Sequence, residues 1–113
     1  MKTWKWLLAL LLTLQLGLTL RPALALEIQA YTPEALASAT RDGRAVVLHF
    51  HADWCPICRA QDKVLQGWQG DASLPLTVFH VDYDRETGLR RQLRVRSQST
   101  LLLYRAGAER DRV

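Results

Sequence analysis

Residues 46–61, VVLHFHADWCPICRAQ, join an apolar run to a pair of cysteines and then to a helical pattern. The apolar run over 45–50 has the length of a strand, and its composition is that of a strand covered on both faces. From Pro56 onward the pattern is helical, and one stripe of the helix is formed by Ile57, Gln61, Val64, Leu65 and Trp68. The stretch therefore predicts a buried strand that leads directly into an amphipathic helix, with Cys55 and Cys58 at the junction.

The rest of the chain continues this alternation of strands and helices. Further strands are predicted at 26–31, 76–83, 100–105 and 109–113, and further helices after a Thr32 N-cap and across 84–93. The turn at 106–108 is too short for a parallel crossover, so the last two strands must pair antiparallel. The predicted fold class is α/β, with a central mixed sheet and helices on both faces.

The first 25 residues have the features of a secretory signal peptide. Lys2 and Lys5 precede a leucine-rich run at 7–20, and Ala23-Leu24-Ala25 has the small-x-small pattern of a cleavage site. The run is shorter than the roughly 20 residues that cross a bilayer, so cleavage after Ala25 is favoured over an uncleaved membrane anchor. We expect one domain at 26–113, without a stable membrane span, in the bacterial periplasm or secreted.

The charge of the chain depends strongly on this leader. The full sequence has a formal net charge of +4. The leader contains Lys2, Lys5 and Arg21 and no acid, so residues 26–113 keep 12 cationic side chains against 11 carboxylates, a charge of +1. A nearly neutral domain gives little support for a nucleic-acid partner. Export would place both cysteines where disulfides can persist.

The position of the cysteines predicts dithiol–disulfide exchange. Cys55 lies where the first turn of a helix presents unpaired N–H groups and the positive end of its dipole, which stabilise the reactive thiolate. Cys58, one turn further on, can attack a mixed disulfide and release the partner. Pro56 suits the first helical turn, and Trp54 and Ile57 supply apolar surface for a polypeptide substrate. No cofactor is expected beyond the redox-active disulfide itself.

These residues resemble the thioredoxin family, from about residue 26 to the end. VVLHFHADWCPICRAQ is similar to that family's second strand, W-C-x-x-C motif and active-site helix, and VFHVDYD and TLLLYRAGAE are similar to its third strand and closing hairpin. ADWC followed by a long helix is most similar to exported and periplasmic members. The resemblance implies a thioredoxin fold, an attacking Cys55, a resolving Cys58, and exchange with protein thiols or disulfides and an upstream redox partner.

Three features depart from the family pattern. Ser99 stands where the family has a cis-proline, just before Thr100, and both residues are predicted substrate contacts. The Gln98–Ser99 peptide is predicted to be trans, because a cis bond without proline costs about 3 kcal/mol. His49 stands where many members have a buried acid. No counterpart of the family's last helix follows Val113, which predicts an uncovered side of the sheet; a shortened chain is favoured over a domain completed by association.

The histidines leave several interpretations open. His49 and His51 are two residues apart on a strand, so their side chains share a face. Structural core histidines are the favoured interpretation, and a proton relay from His49 to Cys58 is the alternative for His49. A rival function is metal binding, in which Cys55, Cys58, His49 and His51 hold zinc or copper(I). Because their spacing is not a standard zinc-ligand spacing, no metal is expected.

The two residues between the cysteines bear on the direction of electron flow. Proline directly after the first cysteine, as at Pro56, resembles glutaredoxins and oxidising periplasmic proteins. The next residue, Ile57, is apolar and lacks the imidazole that would stabilise a thiolate. The sequence therefore favours a reductase over an oxidase or an isomerase.

Overall fold

The computed structural model describes residues 25–113, so the predicted signal peptide lies outside the described residues except for Ala25. The order of elements is the predicted one. The strands are β1 (Glu27–Ala30), β2 (Ala45–His51), β3 (Leu76–Asp82), β4 (Leu101–Arg105) and β5 (Ala108–Arg112), and the helices are α1 (Pro33–Arg41), α2 (Pro56–Gly67) and α3 (Thr87–Leu93). Among these residues, no helix is long and apolar enough to span a bilayer.

The five strands form one mixed sheet in the order β1-β3-β2-β4-β5. Strand β3 pairs in parallel with both β1 and β2, whereas β4 pairs antiparallel with β2 and with β5. The predicted antiparallel closing pair is therefore confirmed. Strand β2 is central, and its carboxyl end carries the chain into Cys55.

The sheet has helices on both faces, as predicted. On one face, Val46, Leu48 and Phe50 of β2 pack in a core with Phe79, Val81 and Leu102, against side chains of α1 and α3. On the other face, Val47, Val78 and Leu103 line a groove together with Leu65 of α2 and Trp68, the C-cap residue of that helix. Because β2 alternates between two covered faces, its sequence is apolar at nearly every position.

The ends of the first two helices follow local sequence signals. Helix α1 begins after Thr32, whose hydroxyl accepts a hydrogen bond from the Ala35 N–H at 3.0 Å, and Pro33 occupies its first turn. Gly43 ends the segment with a φ of +71°, a conformation that glycine adopts without strain. Helix α2 begins at Pro56 with Cys55 as its N-cap, and this junction places both cysteines.

An apolar groove of about 210 Å³ lies beside β4 on the α2 side of the sheet. Its walls include Val47, Leu65, Trp68, Leu101 and Leu103. In the described residues no helix follows β5, whose five residues are all exposed. The groove lies on the side of the sheet that the sequence predicts to be uncovered.

Candidate active site

Cys55 and Cys58 face each other across the first turn of α2. The Cys55 sulfur accepts a hydrogen bond from the backbone N–H of Cys58 at 3.1 Å, so the thiol side chain itself caps the helix. Both cysteines are free thiols and both are buried. The Cys55 sulfur therefore receives a helix N–H and lies at the positive end of the helix dipole. The predicted placement of the pair is confirmed.

Cys58 lies deeper than Cys55 and has no exposed surface. Its sulfur lies 3.8 Å from the Phe50 carbonyl oxygen, to which the S–H can donate a weak hydrogen bond. Burial raises the pKa of the Cys58 thiol, and its contact with Cys55 raises it further. The two sulfurs therefore occupy different environments, one at a helix end and one in the core.

The predicted substrate-contacting residues surround the cysteines at the surface. Trp54 and Ile57 are 57% and 63% exposed, which is high for large apolar side chains, and Pro56 between the cysteines is also exposed. The Trp54 indole N–H donates to the Asp84 carboxylate at 2.8 Å. This hydrogen bond orients the indole ring and leaves its apolar body accessible.

Ser99 lies in the loop next to Cys58. No peptide bond in the described chain is cis, so the Gln98–Ser99 peptide is trans, as predicted. Ser99 has a φ of +67°, in the left-handed region that costs a non-glycine residue about 1 kcal/mol. Its N–H donates to the Phe50 carbonyl at 2.8 Å, the same oxygen that faces the Cys58 sulfur. Thr100 follows, with its carbonyl accepting from the Phe50 N–H at 2.9 Å. The loop is thus tied to β2 on both sides of Ser99.

Gln61 connects this loop to the histidines. Its amide nitrogen donates to the Ser99 carbonyl at 3.0 Å, and its amide oxygen lies 2.9 Å from His49 Nε2. The side chain of Gln61 therefore bridges α2, β2 and the Ser99 loop beneath the cysteines.

His49 and His51 share a face, as predicted, and both point at Asp62 of α2. His49 Nδ1 lies 3.3 Å from Asp62 Oδ1 and His51 Nδ1 lies 2.9 Å from Asp62 Oδ2. His80 approaches the same carboxylate, with Nε2 at 3.8 Å from Oδ2. Burial lowers the pKa of His49, while the hydrogen bond from His49 to the Gln61 amide oxygen and the charge of Asp62 act to raise it.

The structure does not bring together the four ligands of the alternative metal site. In the described residues the sulfurs of Cys55 and Cys58 do not converge with His49 and His51, so that ligand set is wrong. The cluster of potential ligands there is His49, His51 and Asp62, without either sulfur. The physical reason is the alternation of β2: its histidines project toward the middle of α2, whereas the cysteines lie at the first turn of that helix. The proton relay from His49 to Cys58 stays a prediction, and the nearest partner of His49 Nε2 is the Gln61 amide rather than a sulfur.

Comparison with known proteins agrees with this geometry. The sequence model of the Thioredoxin family matches residues 27–113. The chain belongs to the thioredoxin family. A curated relative, the thioredoxin of Chlamydia trachomatis, is 33% identical over 86 residues, which cover 75% of this chain and 81% of the relative.

Solved structures of thioredoxins and a thioredoxin-like protein superpose on the same fold. Trxlp from Edwardsiella tarda is 36% identical with a TM-score of 0.69, over 79% of this chain and 85% of that one. A mutant thioredoxin from Halobacterium salinarum is 25% identical with a TM-score of 0.67, over 82% and 80% of the two chains. Members of the thioredoxin family are thiol:disulfide oxidoreductases that act on protein disulfides, and this chain is an enzyme of that class with its C-x-x-C pair at Cys55 and Cys58.

Sequence reasoning missed three residues around this thioredoxin site. Gln61 lies on the stripe that the helical period predicts for α2, but nothing in the sequence shows that its amide reaches the Ser99 loop. Asp62 is one of two acids in the described helices, the other being Glu34, and only the packing of α2 on β2 brings it to the histidines. Asp84 follows β3, so its position at the carboxyl edge of a parallel strand, next to the end of β2, was the available signal for its contact with Trp54.

Proposed function

We propose that the protein is an exported thiol:disulfide oxidoreductase that reduces disulfides in other exported proteins, with Cys55 as nucleophile and Cys58 as resolving thiol. The observation that carries the assignment of roles is the hydrogen bond from the Cys58 N–H to the Cys55 sulfur, at 3.1 Å. The Cys55 sulfur has a helix N–H that can stabilise negative charge on it during attack, whereas full burial raises the pKa of the Cys58 thiol.

The reaction proceeds in two displacement steps. The Cys55 thiolate attacks one sulfur of a substrate disulfide, a mixed disulfide forms, and the other substrate sulfur leaves as a thiolate that takes up a proton. Cys58 then gives up its proton, attacks Cys55 Sγ and displaces the second substrate thiol. The substrate gains two electrons and two protons, and the enzyme is left with a Cys55–Cys58 disulfide. An upstream dithiol partner returns it to the reduced state by the same steps in reverse.

The surface around Cys55 supports a polypeptide as substrate. Trp54, Pro56 and Ile57 are exposed beside the pair, and the Ser99–Thr100 loop is hydrogen-bonded to Phe50, whose carbonyl oxygen faces the Cys58 sulfur. Such a rim binds an extended segment by apolar contact while leaving the attacking sulfur at its centre. The Ser99 N–H donates to the Phe50 carbonyl, and the Ser99 carbonyl accepts from the Gln61 amide. Both backbone groups of Ser99 are therefore engaged, and substrate binding relies on Trp54 and its exposed neighbours.

The assignment of roles is tested by replacing each cysteine in the full chain with serine. We expect Cys55→Ser to abolish reduction of insulin, a convenient protein disulfide. We expect Cys58→Ser to accumulate a mixed disulfide with insulin that is visible on a non-reducing gel and cleared by dithiothreitol. If Cys55→Ser, and not Cys58→Ser, accumulates the mixed disulfide with insulin, then Cys58 is the nucleophile and Cys55 the resolving thiol.

The direction of electron flow is tested by the reduction potential, measured in glutathione buffers of known composition. Pro56-Ile57 places no cation beside Cys55, which supports a reducing potential. A potential near about −270 mV supports a reductase, and one near about −120 mV contradicts it.

Export is supported by the basic, leucine-rich segment that ends at Ala25. Expression of the untagged full chain in a Gram-negative host, followed by osmotic shock and N-terminal sequencing, tests it. The expected mature protein begins at Leu26 and is released with the periplasm. A chain that keeps Met1 and stays in the cytosol contradicts export while leaving the disulfide chemistry standing.

A further inference from the structure

Below the cysteines, two histidines with almost no exposed surface are aimed at one carboxylate. His49 and His51 are 1% and 6% exposed, and their Nδ1 atoms lie 3.3 and 2.9 Å from the two oxygens of Asp62. Despite these short distances, neither Nδ1 atom has a partner in hydrogen-bond geometry. A buried imidazole nitrogen without a partner is costly, so this cluster needs an explanation.

Neighbouring hydrogen bonds determine which ring nitrogen carries the proton. The Gln61 amide nitrogen donates to the Ser99 carbonyl, so the amide oxygen is the atom that faces His49 Nε2, and that nitrogen must carry its proton to donate. His51 Nε2 lies 2.9 Å from Asp53 Oδ1, a carboxylate that only accepts, so it carries its proton as well. In the neutral rings both Nδ1 atoms are therefore lone pairs.

Two nitrogen lone pairs and a carboxylate within contact distance repel one another unless a cation lies between them. Protonation of the Nδ1 atoms would supply positive charge, but their N–H bonds would not point along a hydrogen bond to Asp62. A metal ion requires only that the three donor atoms converge. The ligand atoms of His49, His51 and Asp62 all lie within 4.8 Å of one another. In a tetrahedral zinc site, ligand atoms about 2.0–2.1 Å from the metal are separated by about 3.3 Å.

We propose that His49 Nδ1, His51 Nδ1 and the Asp62 carboxylate bind one divalent transition-metal ion. Imidazole and carboxylate donors suit zinc, nickel or copper(II), and the absence of a sulfur from the donor set disfavours copper(I). The Gln61 amide and the Asp53 carboxylate hold the other ring nitrogens, which is the outer-shell arrangement that orients metal-binding histidines. His80 Nε2 lies 3.8 Å from Asp62 Oδ2 but is not among the three converging ligands, so water would fill the remaining coordination positions.

The site is accessible from the surface, although its histidines are buried. The side chains of Asp62 and His80 are 22% and 38% exposed. They line an open cleft of about 290 Å³ that also reaches His49. A metal ion can therefore enter without disturbing the thiols, and once bound it links α2 to β2 beneath the active site.

The decisive measurement uses the untagged full chain with Cys55 and Cys58 oxidised to the disulfide, because free thiols would bind the same metals. Isothermal titration with zinc chloride should show one saturable site per chain. Asp62→Asn should weaken the affinity at least about 10-fold. Asp42→Asn, which removes the same charge at the exposed end of α1, should leave it unchanged. No saturable site in the oxidised wild type, or equal affinity in Asp62→Asn, overturns the proposal.

A second measurement does not depend on any variant. Electron paramagnetic resonance of the oxidised wild type with one equivalent of copper(II) should show hyperfine coupling to imidazole nitrogen. The absence of nitrogen coupling overturns the proposal even if Asp62→Asn fails to fold.

Discussion

The Gln61 side chain donates a hydrogen bond to the Ser99 carbonyl at 3.0 Å and lies 2.9 Å from His49 through its other amide atom. One residue of α2 thereby holds both the loop that faces the cysteines and a histidine of the central strand. The loop has a left-handed residue at its tip, so it depends on hydrogen bonds from outside its own sequence to keep this conformation.

Gln61→Ala should lower the free energy of unfolding by about 1–3 kcal/mol, because it leaves a buried imidazole nitrogen and a loop carbonyl without partners. Chemical denaturation of the reduced full chain measures this. Gln66→Ala is the matched control, since Gln66 is an exposed residue of the same helix, and we expect a change within about 0.5 kcal/mol. Equal effects of the two substitutions would show that the Gln61 bridge does not stabilise the fold.

Ser99→Pro should destabilise the protein by about 2 kcal/mol or more, because proline cannot adopt a φ of +67° and has no N–H for the Phe50 carbonyl. Ser99→Ala keeps the N–H and removes only the hydroxyl, so its melting temperature should stay close to that of the wild type. A proline variant as stable as the alanine variant would mean that the loop can rearrange to accept proline at little cost.

The pKa of Cys58 is raised by burial, so its thiolate should form only above the range of an ordinary cysteine. In the Cys55→Ser variant, the ultraviolet absorbance of the thiolate should rise with a midpoint above about pH 8.5. The reduced wild type should also lose stability as pH rises past that value, because the unfolded chain releases the Cys58 proton before the folded chain does. A midpoint below that of a free cysteine would contradict the effect of burial.

Trp54→Ala should raise KM for a protein disulfide several-fold with a smaller effect on kcat, because the exposed indole contacts the substrate and not the sulfurs that react. Trp68→Ala removes a similarly exposed indole at the other end of α2 and should leave KM unchanged. Steady-state reduction of insulin measures both. A loss of kcat alone in Trp54→Ala would argue against a substrate-binding role.

Arg112 anchors the edge strand β5 to the end of α3. Its guanidinium donates to the carbonyls of Leu93 at 2.8 Å and Arg94 at 3.2 Å, which a helix end otherwise leaves without partners. Arg112→Ala should lower the free energy of unfolding by about 1 kcal/mol and speed amide hydrogen exchange in β5. Arg110→Ala, at an exposed position of the same strand, should do neither. Unchanged exchange in Arg112→Ala would show that strand pairing alone holds β5.

The main features of the fold could be predicted from the sequence because they depend on local patterns. An apolar strand, a proline suited to a first helical turn and a helix-period stripe lie next to one another in residues 45–68, and they place Cys55 and Cys58 at a helix N-terminus without knowledge of the rest of the chain. The trans peptide at Ser99 was predictable for the same reason, since the cost of a cis bond depends on the residue itself.

Only the tertiary structure decided what lies beneath the cysteines. The spacing of His49 and His51 shows that their side chains share a face. Whether that face meets the cysteine sulfurs or the Asp62 carboxylate depends on which turn of α2 packs over it. Packing of α2 on β2 brings Gln61 to the Ser99 loop and Asp62 to the two histidines, across separations that no sequence period encodes. Local order follows from the short-range preferences of the chain, whereas the histidine–aspartate cluster exists only because a helix and two strands bury the same surface.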